Sequence, residues 1–270
     1  MSIPESGLPD AGEYIRHSLL IAEAGRLEEA LDDLGMALQL APDNLLAYFL
    51  RGAIYLSLEQ HGRADEDFAV IAARAPDSAL DHLARARQIE AQRGSRAALP
   101  EYDTAIERQP DLAIGYFYRG LAYHKLGKDA LALADYDRAI ELDPLDAPSY
   151  SNRGNTRQAL GDLDGALADY DAALSLNPGF VFAYNNRANL RAGRGDITGA
   201  LADYDAAIAL KPDYATAYYN RGYTREQAGD LAGALADLQT YLALTEGLHA
   251  PDRGQVIRMT RHLERRLRRR

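Results

Sequence analysis

YSNRGNTR at residues 150–157, YNNRANLR at 184–191 and YYNRGYTR at 218–225 begin 34 residues apart, and the same step runs through nearly the whole chain. A ring (His once) stands at Tyr14, Tyr48, His82, Tyr116, Tyr150, Tyr184 and Tyr218, with a small residue four later, from Ser18 and Gly52 to Gly222. Twelve positions on comes an alanine, from Ala30 to Ala234. A bulky residue follows at Leu34, Phe68, Tyr102, Tyr136, Tyr170, Tyr204 and Leu238. Proline closes six units, at Pro42, Pro76, Pro110, Pro144, Pro178 and Pro212. Repetition at a fixed period of this size is the mark of a repeat architecture.

Each unit decodes into two helices. Ring and small residue, four apart, share one helical face, as do Ala166, Tyr170 and Ala173 in the second helix. Gly25, Gly127, Gly161, Gly195 and Gly229 sit between the two helices, where a left-handed helix end needs glycine. Two units depart from this pattern. The second has Glu59 at the hinge position and Gly62 three later. The third has Arg93, then Gly94, and Pro100 in its second helix, which predicts a late start or a bend there.

The pattern resembles the tetratricopeptide repeat in length, helix–turn–helix form and small, aromatic and proline positions. It covers residues 11–248 as seven units: 11–44, 45–78, 79–112, 113–146, 147–180, 181–214 and 215–248. Residues 1–10 are a lead segment. Residues 249–270 are a basic capping helix with Val256, Met259, Leu263 and Leu267 on one stripe. The resemblance implies an all-α, right-handed superhelical solenoid whose first helices line a concave groove for a peptide or protein segment.

Composition narrows the function classes. The chain has 270 residues, no cysteine and a net charge of −10. Disulfides and thiol chemistry are therefore excluded. Eight arginines against Asp252 and Glu264 make residues 252–270 +6, so the remainder carries −16. Such a body repels nucleic acid and anionic lipid, leaving only residues 258–270 to attract them. No signal peptide or apolar span is visible, and a cytoplasmic location is expected. No phosphate loop, HExxH or GxSxG occurs, and the histidines lack metal-ligand spacing. The expectation is a non-enzymatic protein without cofactor or metal.

Two features of the opening motif raise functional questions. Arg51, Arg85, Arg119, Arg153, Arg187 and Arg221 recur in the first helices, with His17 in the first unit, and an acid precedes each bulky second-helix residue. Pairing with the preceding unit leaves no arginine without an acid. The expected pairs are Asp33–Arg51, Asp67–Arg85, Glu101–Arg119, Asp135–Arg153, Asp169–Arg187 and Asp203–Arg221. Arg157, Arg191 and Arg225 receive no role.

Asn152, Asn186 and Asn220 look like the asparagine ladder of the O-GlcNAc transferase repeats, and amides can grip an extended backbone whatever its sequence. Asn155, Asn189, Phe182, Tyr219 and Tyr223 join them as candidate groove residues. A carboxylate clamp of the co-chaperone kind is not expected, since Phe117 and Leu121 stand where its Lys and Asn would be. The earlier units offer an apolar strip that includes Phe49, Leu50, Leu83, Phe117 and Tyr118. Its exposure would suit a partner helix or a second copy of the chain, making a homo-oligomer the alternative reading.

Overall fold

The structure is a computed structural model that describes residues 10–23, 25–58, 60–74, 78–247 and 252–268. The lead segment before residue 10, Glu59, Pro76, residues 249–251 and the last two arginines of the tail lie outside the described residues.

Fifteen helices follow one another among the described residues. The first ten are α1 Ala11–Glu23, α2 Leu27–Leu40, α3 Leu45–Ser57, α4 His61–Arg74, α5 Ala79–Arg93, α6 Ser95–Arg108, α7 Ala113–Lys125, α8 Asp129–Leu142, α9 Ala147–Ala159 and α10 Leu163–Leu176. The rest are α11 Val181–Gly193, α12 Ile197–Leu210, α13 Ala215–Gln227, α14 Leu231–Leu244 and α15 Arg253–Leu267. The chain divides into two compact units, residues 1–178 and 179–270.

The helix pairs form for the reasons legible in the repeat. Alanines such as Ala132 and Ala166 and the bulky Tyr136 and Tyr170 are fully buried between paired helices. Burial contributes about 1.5–3 kcal/mol for a large apolar side chain and about 0.8 kcal/mol for an alanine methyl. The facing glycines are needed because the helices touch: a Cβ on Gly154 would lie 2.8 Å from the Tyr170 ring, and one on Gly52 only 2.6 Å from Phe68. Gly161 takes φ +86° at the turn between α9 and α10, a backbone conformation that side chains disfavour. Asp162 then caps α10 by accepting from Gly165 N at 3.0 Å.

Pro100 does not delay its helix. α6 starts at Ser95, the same repeat position at which the other second helices start. The proline withholds one N–H from the Arg96 carbonyl, four residues back, and its ring crowds that carbonyl. In the second unit, α15 seats Val256 and Leu263, both fully buried, against Leu231, Leu238 and Tyr241 of α14.

Candidate functional site

The arginine of the motif is a scaffold residue, but its partners differ from those expected. Arg51 binds Asp67, Arg119 binds Asp135, Arg153 binds Asp169, Arg187 binds Asp203 and Arg221 binds Asp237, all within one helix pair. His17 takes Asp33 in the first pair at 2.6 Å. Glu101 is held by His82 and Arg85 reaches Asp81 on its own helix. The expected pairs Asp33–Arg51, Asp67–Arg85, Glu101–Arg119, Asp135–Arg153, Asp169–Arg187 and Asp203–Arg221 are thus replaced.

A contact to the preceding pair does exist, through a different acid. Arg119 Nη1 reaches Asp103 at 2.9 Å, Arg153 Nη1 reaches Asp137 at 2.8 Å and Arg221 Nη1 reaches Asp205 at 2.5 Å. Each of these acids follows the bulky residue instead of preceding it. The two partners are unequal. Asp169 and Asp237 are buried, whereas the side chains of Asp137 and Asp205 are about half exposed.

Arg157, Arg191 and Arg225 acquire a role. They bind Asp169, Asp203 and Asp237 at 2.8 Å, and their Nε lies 3.8–3.9 Å from the N-cap acids Asp162, Asp196 and Asp230. Where the N-cap position holds Lys128, the arginine is replaced by Tyr123, and the ammonium sits over that ring at 5.7 Å. Tyr55 likewise lies under Arg63. Arginine thus stands at this position in the three pairs whose second helix is capped by an aspartate, and a ring stands there where the cap is Lys128. The acid-with-arginine half of this was visible in the sequence at Asp162, Asp196 and Asp230.

The expected apolar strip is largely core. Phe49 has no exposed surface, Leu50 and Leu83 are buried, and Phe49 packs edge-on against Tyr118, two helix pairs later, at 5.5 Å. Phe117 is half-buried against Tyr118 and Tyr136. Arg87 lies over the Tyr118 ring at 4.7 Å and pairs with Glu90, which also receives Tyr102, Ser95 and Lys125. Burial pushes the Tyr118 hydroxyl up, with the Arg87 charge working against it.

Two of the candidate amides serve the scaffold. Asn155 Oδ1 accepts from the Tyr170 hydroxyl at 2.7 Å, and Asn189 Oδ1 accepts from Tyr204 at 2.6 Å. Asn152 belongs to the first unit, and its Nδ2 donates to the Pro148 carbonyl.

In the second unit the remaining candidates gather on the first helices, α11 and α13. Phe182 is 40% exposed, seated edge-on against Tyr214 at 5.5 Å, and Tyr223 is 49% exposed. Asn186 follows Phe182 by four residues, on the same face. Asn220 Nδ2 donates to buried Asn185 at 3.0 Å, which orients the amide and leaves its oxygen unengaged among the described residues. Tyr219 is half-buried against Tyr241, and burial pushes its hydroxyl up.

The tail arginines Arg258, Arg261, Arg265, Arg266 and Arg268 face outward, Arg266 reaching Glu226 at 3.3 Å. Among the described residues no group of His, Asp and Glu is placed to hold a metal ion. No described helix is long and apolar enough to cross a membrane.

Two family models described as tetratricopeptide repeat match the chain, one over residues 190–263 and one over 113–145 and 147–180, together more than half of it. Among solved structures, the chain is similar to a tetratricopeptide repeat protein from Parabacteroides merdae, at 19% identity and TM-score 0.59, covering 93% of this chain and 98% of that one. It is also similar to a chain of the APC/C hetero-tetramer Cut9–Hcn1, at 15% identity and TM-score 0.71, covering 92% and 48% respectively. YrrB, described as a TPR protein with an unusual peptide-binding site, matches at 21% identity and TM-score 0.53 over 72% of this chain and 97% of its own. At these identities the likeness is one of fold, the all-α repeat solenoid. No curated protein matches the chain.

Proposed function

The chain belongs to the tetratricopeptide repeat family, and from that premise we propose that its second unit binds an extended peptide segment along α11 and α13. The coarser role is that of a protein–protein interaction scaffold in a typically non-enzymatic fold family. The observation that carries the finer reading is a contrast between rings. Phe49 of the first unit is consumed by its core and Phe117 half so, while Phe182 and Tyr223 of the second remain 40% and 49% exposed. Asn220, on α13 with Tyr223, offers its amide oxygen to a backbone, and Asn186 stands on α11 one turn after Phe182. Rings supply apolar contact area at small entropic cost and amides supply hydrogen bonds without demanding a sequence. YrrB, whose fold is similar, is described by its peptide-binding site, which supports the same kind of ligand here.

The alternative, self-association through early apolar repeats, is less well supported, because Phe49, Leu50 and Leu83 are buried within one chain. The proposal is tested by selecting a displayed random-peptide library on the wild type and on Phe182→Ala/Tyr223→Ala. Both side chains are exposed, so the variant folds. Sequences enriched on the wild type and lost on the variant support the site, and equal enrichment on both refutes it.

A further inference from the structure

Arg119, Arg153 and Arg221 each hold two carboxylates. The Nε and Nη2 edge takes the acid sixteen residues later, and Nη1 takes the acid sixteen residues earlier, on the preceding second helix. Arg51 makes the first half of this arrangement in full. Its Nε and Nη2 bind Asp67 at 2.9 and 2.6 Å, and it lies 5.5 Å over Tyr48, as Arg153 lies 5.3 Å over Tyr150. The second half is missing, because position 35 is glycine where Asp103, Asp137 and Asp205 stand before Arg119, Arg153 and Arg221. No described residue takes Arg51 Nη1, and a cleft of about 620 Å³ opens at that place between α2, α3 and α4. A Cβ built on Gly35 meets nothing within 4 Å.

We propose that this cleft binds a carboxylate supplied by a ligand, which takes Arg51 Nη1 in the place the missing aspartate would fill. The protein shows the chemistry required, since the same guanidinium edge donates to a carboxylate at 2.5–2.9 Å in Arg119, Arg153 and Arg221. Charge-assisted bonds of this kind are strong and directional. The size suits a residue or two of a ligand. Arg63 also borders the cleft, stacked on Tyr55, with Gln39 and Gln60 as amide donors. Glu28 and Asp32 line it too. They repel a free dianion and receive a cation, so the ligand is a peptide with an acidic residue beside a basic one. This site lies in the first unit and is separate from the peptide face proposed on α11 and α13.

The test follows the arginine Nε–H resonances of the full chain by NMR. Acetyl-Lys-Asp-amide, acetyl-Lys-Asn-amide and glutarate are added in turn. The Arg51 resonance is expected to shift saturably with the Lys-Asp peptide, about tenfold more weakly with Lys-Asn, and more weakly with glutarate than with Lys-Asp. Gly35→Asp supplies the carboxylate from α2 and is expected to remove the Arg51 response, while Gly35→Ala keeps it and Arg119 and Arg153 are silent in every case. Absence of a saturable Arg51 shift with all three probes overturns the proposal. So does an undiminished response in a folded Gly35→Asp, or a response lost equally in Gly35→Ala. Glutarate binding as tightly as Lys-Asp overturns the assignment of a mixed-charge peptide.

Discussion

Replacing Tyr136, Tyr170 and Tyr204 by phenylalanine, one at a time, deletes the same atom from equivalent buried rings and is expected to change stability with opposite signs. The Tyr170 hydroxyl donates to Asn155 at 2.7 Å, with Gln158 3.1 Å away, and Tyr204 donates to Asn189 at 2.6 Å. The Tyr136 hydroxyl is buried without a partner among the described residues, because Leu121 stands where Asn155 and Asn189 stand. Burial pushes all three hydroxyls up, that of Tyr204 to about 12, so each is a neutral phenol at any working pH. An intramolecular hydrogen bond is worth about 1 kcal/mol net, and a buried polar group left unpaired costs about 1–3 kcal/mol. Tyr170→Phe and Tyr204→Phe should therefore each lose about 1 kcal/mol, and Tyr136→Phe should gain up to about 1 kcal/mol. Urea denaturation followed by circular dichroism reads this as midpoints displaced in opposite directions at constant slope. Equal losses in all three variants would refute the reasoning, since the phenol would then have the same worth with and without its amide.

Two further expectations concern charge. Burial alone would raise the Glu90 carboxyl, but the Lys125 bond, the Arg87 charge and the Ser95 bond outweigh it and hold the group below the usual carboxylate range. A depressed folded value means that its stabilisation is present above the unfolded value of about 4.3 and is lost as the pH falls through the folded one. Glu90→Gln should accordingly cost roughly 3 kcal/mol at pH 7, since it strands buried Arg87, and the cost should shrink towards pH 3; a deficit constant with pH contradicts this. Between the two partners of Arg153, Asp137→Ala should cost less than about 1 kcal/mol because its side chain is 47% exposed. Asp169→Ala, which takes the buried carboxylate from both Arg153 and Arg157, should cost about 3 kcal/mol. Equal losses in denaturant melts would reverse that ranking.

The helix pairs were legible because the features that make them, a small residue opposite a bulky one, recur in register, as Gly154 and Tyr170 do. The ion pairs differ from expectation because four of the second helices carry acids both before and after the bulky residue, as Asp135 and Asp137 flank Tyr136. His17 completes the observed pattern in the first pair, since an imidazole reaches Asp33 from the arginine's position. Phe49 was placed in a groove from its position in the repeat, and nothing local to α3 reveals that Tyr118 arrives from α7 to cover it. Asn155 and Asn189 were read as solvent-facing amides, yet each is fifteen residues before a tyrosine whose buried hydroxyl needs an acceptor.

The claim that α11 and α13 grip a peptide backbone is tested most directly by calorimetric titration of one library-selected peptide into the wild type and into Asn186→Ala/Asn220→Ala. Loss of two amide bonds at about 1 kcal/mol each should weaken binding by roughly 30-fold, with a variant melting temperature within a few degrees of the parent. An unchanged dissociation constant in that folded variant would contradict the account.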